Sequence, residues 1–242
     1  MKYLICNLKE NKTYQDMQEY KEKLLSITPD EKIKLVICPS TPYLFLFNNQ
    51  KYYIGSQDVS KYDGGAYTGE VGAKQLASLN VSFSLIGHSE RRKYFNESNE
   101  DIIKKIENCF ANNIKVILFI GEKDDYDTEV VKDIIQEQLS SILKNISNNN
   151  FEKLLIAYEP NWLIGKESIP NIQKLKKKLH FIRTLISEFT QIEIPIIYGG
   201  GINLNNFKDL LNLSEIDGFV IGENSKDINT IKNMYSLYTK NL

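Results

Sequence analysis

The sequence predicts an α/β fold, a single (β/α)8 barrel domain over residues 1–242. Three observations lead there. The chain has 242 residues, close to the roughly 250 of one such barrel. Eight short β-rich apolar runs recur along it, with lengths that suit parallel strands buried on both faces. Helical patterns or short helical segments separate these runs, and alternation of β and α units implies a parallel sheet with right-handed crossovers. An open doubly wound sheet satisfies the same alternation; eight units in this length favour closure.

Taken in order, the strands are expected at residues 3–7, 33–38, 52–57, 81–87, 115–121, 154–159, 194–199 and 218–222. The helical segment 128–146 places Val130, Val131, Ile134, Ile135, Leu139, Ile142, Leu143 and Ile146 on one face at i, i+3, i+4 spacing. Segment 172–189 does the same with Ile172, Leu175, Leu179, Ile182, Leu185, Ile186 and Phe189. Ser98 precedes a helix start with Asp101 three residues on, the pattern of a capping box.

Composition narrows the function. Apolar residues make up 42% and charged residues 25%, which suits a large core and a solvated surface and excludes a disordered, collagen-like or coiled-coil chain. Lys+Arg 30 against Asp+Glu 31 leaves a net charge of -1, so no nucleic-acid or anionic-membrane partner is expected. The longest apolar runs, 43–47 and 116–120, fall far short of the about 20 residues of a membrane span. Residues 3–6 are too few for the roughly 7–15 of a secretory apolar region. Cys6, Cys38 and Cys109 are odd in number, far apart and in no C-x-x-C pair. Neither a disulfide framework nor a zinc site is expected, and a reducing cytoplasm is the predicted setting.

In a barrel of this kind, reactive groups come from the C-terminal ends of the strands. Strand one ends in Cys6-Asn7-Leu8-Lys9, strand four in Ile86-Gly87-His88-Ser89-Glu90-Arg91-Arg92 and strand six in Tyr158-Glu159-Pro160-Asn161-Trp162-Leu163-Ile164-Gly165. Strands seven and eight end in Tyr198-Gly199-Gly200-Gly201 and Ile221-Gly222-Glu223-Asn224-Ser225. A cation, an imidazole and a carboxylate are thus predicted to meet at one mouth, beside two glycine-containing turns.

These pieces, in this order and over nearly the whole chain, resemble the triosephosphate isomerase family. Gly65-Ala66-Tyr67-Thr68-Gly69-Glu70 resembles that family's loop after strand three. The resemblance implies a (β/α)8 TIM barrel and a cofactor-free, metal-free isomerase that interconverts dihydroxyacetone phosphate and D-glyceraldehyde 3-phosphate through an enediolate. It implies that Glu159 is the base, His88 a neutral electrophile and Lys9 the electrostatic stabiliser, with Asn7 orienting Lys9 and the substrate. Glu90 is expected to pair with Lys9, and Arg91 and Arg92 to make structural ion pairs. His180, in a helical run without a motif, is read as structural. Residues 160–167 resemble a mobile lid, with Trp162 as its bulky group. Phosphate binding would fall to backbone N–H groups at Gly165, Gly201, Gly222 and Glu223. Segment 58–72 resembles the family's loop that inserts into a neighbouring subunit, implying a homodimer with Thr68 near the partner's Asn7 and Lys9.

The chain departs from the family pattern in several places. Gly201 stands where serine is usual, Glu223 where a second glycine is usual, and Gly165-Lys166-Glu167 where the far hinge of the lid usually reads glycine-threonine-glycine. Leu8 and Glu10 flank the lysine in place of tryptophan and methionine, and Phe119 replaces a cysteine. Glu223 matters most: at about 5 Å and an effective dielectric of about 20, each unit of repulsion against a phosphate costs roughly 3 kcal/mol. Either Glu223 turns away, or Lys166 or another cation offsets it, or the substrate is another small ketose or aldose phosphate. A non-catalytic TIM-like binding protein is the remaining alternative, although a binding module has no need for Lys9, His88 and Glu159 together.

Overall fold

The computed structural model describes residues 1–47, 51–123 and 129–242, with the backbone alone for 129–131. Eight parallel strands close into a barrel in sequence order. They are β1 (Lys2–Asn7), β2 (Ile33–Cys38), β3 (Tyr53–Ser56), β4 (Val81–Ile86), β5 (Lys115–Ile120), β6 (Leu154–Tyr158), β7 (Ile196–Gly199) and β8 (Gly218–Ile221). Closure is made by β1 pairing with β8, Tyr3 opposite Gly218 and Cys6 opposite Ile221. The helices are α1 (Tyr14–Leu24), α2 (Ala73–Ser78), α3 (Ser89–Tyr94), α4 (Asn99–Ala111), α5 (Glu129–Leu143), α6 (Ile172–Ser187), α7 (Leu204–Leu211) and α8 (Ile228–Lys240). After β2 the chain runs through a 3₁₀ turn, Thr41–Phe47, instead of an α-helix.

Strand alternation sorts the core into two layers. Tyr3, Ile5, Val36, Cys38, Phe83, Leu85, Ile117, Phe119, Leu155, Ala157, Ile197 and Val220 form a cluster of their own, one set of alternating strand positions filling the barrel. The other set, including Leu4, Cys6, Leu35, Ile37, Leu118 and Ile156, packs with the apolar stripes of the helices. Extending the inward alternation past the strand tops gives Asn7 above Ile5, Glu159 above Ala157, Gly199 above Ile197 and Gly222 above Val220. The barrel therefore carries its polar crown at the C-terminal mouth.

The strands fall within two residues of their expected limits. The largest difference is at β7, which begins at Ile196 because Pro195 has no N–H to give the ladder; its carbonyl still accepts from the Ile156 N–H at 3.0 Å. Ser98 caps α4, accepting from the Asp101 N–H, but only this half of the expected capping box forms. Helix α6 stops at Ser187, short of Phe189, which still packs against the core. His180 lies exposed on α6, not in a core. The expected start of the fifth helix, Thr128, lies outside the described residues, as do the side chains of Val130 and Val131. Among the described residues no helix is long and apolar enough to cross a membrane.

Candidate active site

The crown holds one line of ionisable side chains in close succession. Lys9 Nζ forms an ion pair with Glu90 Oε1. The other oxygen of Glu90 lies 3.7 Å from His88 Nδ1, and His88 Nε2 lies 3.3 Å from Glu159 Oε2. His88 and Glu159 are buried, at 5% and 8% exposure, so water does not screen their contact. The three expected site side chains, from strands one, four and six, thus come together with Glu90 as the link.

Each is fixed locally. Lys9 adopts φ 49°, a left-handed conformation costly for a residue with a side chain. It is held there on both sides: its N–H donates to Asn7 Oδ1 at 3.2 Å, and its carbonyl accepts from Ser40 Oγ at 2.8 Å and Gln57 Nε2 at 3.0 Å. Asn7 therefore orients Lys9 through the backbone. His88 caps the N-terminus of α3, its Nδ1 accepting from the Glu90 N–H at 3.2 Å. A nitrogen that accepts a hydrogen bond carries the lone pair, so this bond assigns the proton of a neutral ring to Nε2, facing Glu159. Phe119, in place of the family's cysteine, meets the His88 ring edge-on at 4.8 Å and walls it from below.

Glu159 Oε2 is buried and accepts no hydrogen bond; its approach to His88 Nε2 is close without being aligned as one. An oxygen with a free lone pair in a dry site is the atom suited to take a proton. Gly199 packs close beside it: a Cβ there would stand 3.2 Å from Glu159 Oε1 and press on the carboxylate. Gly222 lies on the opposite flank, where an added Cβ would come 3.8 Å from Lys9 Cε.

The turn after β8 sets Glu223 beside a cation. The Glu223 side chain is 67% exposed and forms an ion pair with Lys226, one 3₁₀ turn on. The cation beside Glu223 is Lys226; Lys166 lies instead over the Trp162 ring, 5.7 Å from its centroid. Arg91 pairs with Glu97 and Asp58, each at 2.9 Å, as expected; Arg92 is held instead by neutral partners, donating to the Gly87 carbonyl at 3.0 Å and Asn99 Oδ1 at 2.8 Å, because it turns back toward the end of β4 and the start of α4, where no carboxylate accepts from it among the described residues. Gly165 lies at the exposed far end of segment 160–167, with no atom within 4 Å of an added Cβ. Thr68 is exposed on the 58–72 loop.

Sequence reasoning missed Glu122. It is fully buried, and its Oε1 accepts from Tyr158 OH at 2.9 Å, Lys178 Nζ at 2.6 Å and Trp162 Nε1 at 3.3 Å. This carboxylate roots the near end of segment 160–167. The signal was present, because Glu122 directly follows the Ile120-Gly121 end of strand five, one of the strand ends not weighed.

Comparison with known proteins bears on this arrangement. The family model described as triosephosphate isomerase matches residues 2–238. The chain belongs to the triosephosphate isomerase family. A triosephosphate isomerase of Francisella tularensis subsp. mediasiatica is 34% identical over 229 residues, covering 91% of this chain and 90% of the relative. One of Clostridium botulinum type A is 33% identical over 227 residues, with 89% and 91% covered. One of Francisella tularensis subsp. novicida is 37% identical over 198 residues, with 79% and 78% covered. Triosephosphate isomerase family membership thus spans the entire barrel, and every element that carries the crown lies within the matched residues.

Proposed function

We propose that Glu159, His88 and Lys9 catalyse the interconversion of dihydroxyacetone phosphate and D-glyceraldehyde 3-phosphate. The chain is an intramolecular aldose–ketose isomerase by family; the residue roles are our reading. Moving a carbonyl to the adjacent carbon requires taking a proton from one carbon and returning it to the other. Glu159 Oε2 takes that proton and gives it back. Negative charge then develops on oxygen, where His88 donates its Nε2–H and the Lys9 ammonium supplies opposite charge; one preorganised donor of this kind contributes about 3–4 kcal/mol to the transition state. Glu90 holds the ammonium in place. The single observation that carries this reading is the unbroken line Lys9–Glu90–His88–Glu159 at the mouth.

In this reading the phosphate rests on backbone N–H groups of Gly165, Gly201, Gly222 and Glu223, with residues 160–167 closing over it and excluding water. Pairing of Glu223 with Lys226 removes the main reason to prefer another sugar phosphate. We place the enzyme in the cytoplasm as a homodimer in which Thr68 approaches the mouth of the neighbouring subunit. A coupled isomerase assay tests the chemistry. Removing a general base forfeits about 10²–10⁴ in rate, so Glu159→Gln is expected to lose that much kcat while staying folded; activity near that of the unaltered protein would overturn the role of Glu159.

A further inference from the structure

The far end of segment 160–167 rests on the turn between β7 and α7. Asn203 stands at that junction and uses both ends of its side-chain amide. Its Oδ1 caps α7, accepting from the Asn205 N–H at 2.9 Å and the Asn206 N–H at 3.1 Å. Its Nδ2 donates to the Glu167 carbonyl at 3.0 Å. The turn itself is braced: Asn203 N–H donates to Asn206 Oδ1 at 2.9 Å, Asn206 Nδ2 to the Gly201 carbonyl at 2.8 Å, and Asn224 Nδ2 to the Ile202 carbonyl at 2.7 Å. One residue further along, the Ser168 carbonyl sits against Gly201, whose φ is +65°; a Cβ at that position would overlap the Ser168 oxygen. Gly201 in place of the usual serine is therefore what lets the hinge settle on this turn.

We infer that Asn203 is a positioning residue, its amide tying the far hinge of the lid to the helix cap behind it. The inference rests on the reading of residues 160–167 as the lid. With Trp162 bonded to Glu122 at the near end and Glu167 to Asn203 at the far end, the lid swings between two fixed points. Releasing the far one spreads the hinge over more conformations, and apparent affinity falls by the fraction that remains binding-competent.

Asn203→Asp and Asn203→Ser separate the two duties, since Asp and Ser cap helices about as well as Asn but neither donates as the amide does. Trp162 is the only tryptophan, and Lys166, next to Glu167, lies over its ring, so its emission anisotropy reports on the far hinge without a label. Both variants are expected to raise KM for glyceraldehyde 3-phosphate about fivefold, the weight of one hydrogen bond, with kcat changed less than about twofold. Both should lower Trp162 anisotropy in the substrate-free protein and leave far-ultraviolet circular dichroism unchanged. Unchanged KM and unchanged anisotropy in both variants would overturn the inference. The anisotropy needs no turnover. It tests the anchor even if Glu159→Gln keeps full activity and the catalytic reading fails, while inactive Glu159→Gln beside normal Asn203 variants removes this inference alone.

Discussion

Lys226 shows how one residue decides what its neighbour means. Glu223 stands in the turn assigned to the phosphate, and without a partner its carboxylate would oppose a dianion. The ion pair with Lys226 offsets that charge. Both side chains are substantially exposed, so solvent screens the effect to about 1 kcal/mol, or about fivefold. Lys226→Gln is therefore expected to raise KM about fivefold at low ionic strength and much less at 0.5 M salt, where the Debye length shrinks to about 4 Å. Adding Glu223→Gln should restore KM. An unaltered KM at low salt would show that the carboxylate does not face the phosphate. At this scale Lys9, His88 and Glu159 were legible in the sequence because each sits at a strand end within a distinctive string. Glu122 and Asn203 were not, since what gives them meaning is tertiary: the partners of Glu122 lie 36, 40 and 56 residues away, and that of Asn203 36 residues away.

Among the elements, the strands were legible because buried parallel strands are short apolar runs, and their limits moved only where a proline or a strand end intervened. The loop between β3 and α2 was legible as a segment and not as a shape. Its root is pinned by ion pairs, some of them buried: Lys105 bonds Asp58 at 2.7 Å and the buried Glu97 at 3.0 Å, and the half-buried Lys61 bonds Asp101 at 2.7 Å. Its tip is exposed through residues 63–70, and there Tyr62 and Tyr67 stack face to face at 3.6 Å. A pinned root with a stacked, exposed tip is a preformed projection, suited to insertion into a second subunit at low ordering cost. Light scattering at micromolar concentration is expected to give twice the chain mass. Tyr67→Asp, which breaks the stack and charges the tip, should shift the protein toward monomer. A monomeric mass for the unaltered protein with full activity would contradict the assembly.

For the whole molecule, closure of the barrel could not be read from pattern, because the hydrogen bonds between β1 and β8 join residues more than 200 positions apart. Closure also buries all three cysteines. Burial pushes the Cys6 and Cys109 thiols up to about 12 and pushes Cys38 well above its usual value. An unfolded thiol ionises near 8.5. The folded state thus holds protons that the unfolded state releases, so this stability is full below about pH 8.5 and is lost as pH rises toward 12. Urea midpoints should fall across that window, and the native thiols should resist a thiolate-directed reagent at pH 8; rapid labelling of the folded protein would contradict the closed packing. Isomerisation in this barrel turns most on Glu159 as the proposed base that moves a proton between carbons. Solvent deuterium uptake into the carbon-bound positions of the triose phosphates, followed by proton NMR in D₂O, measures that step directly. The unaltered protein should label its product and Glu159→Gln should do so at least about 100-fold more slowly; equal labelling by the two proteins would contradict it.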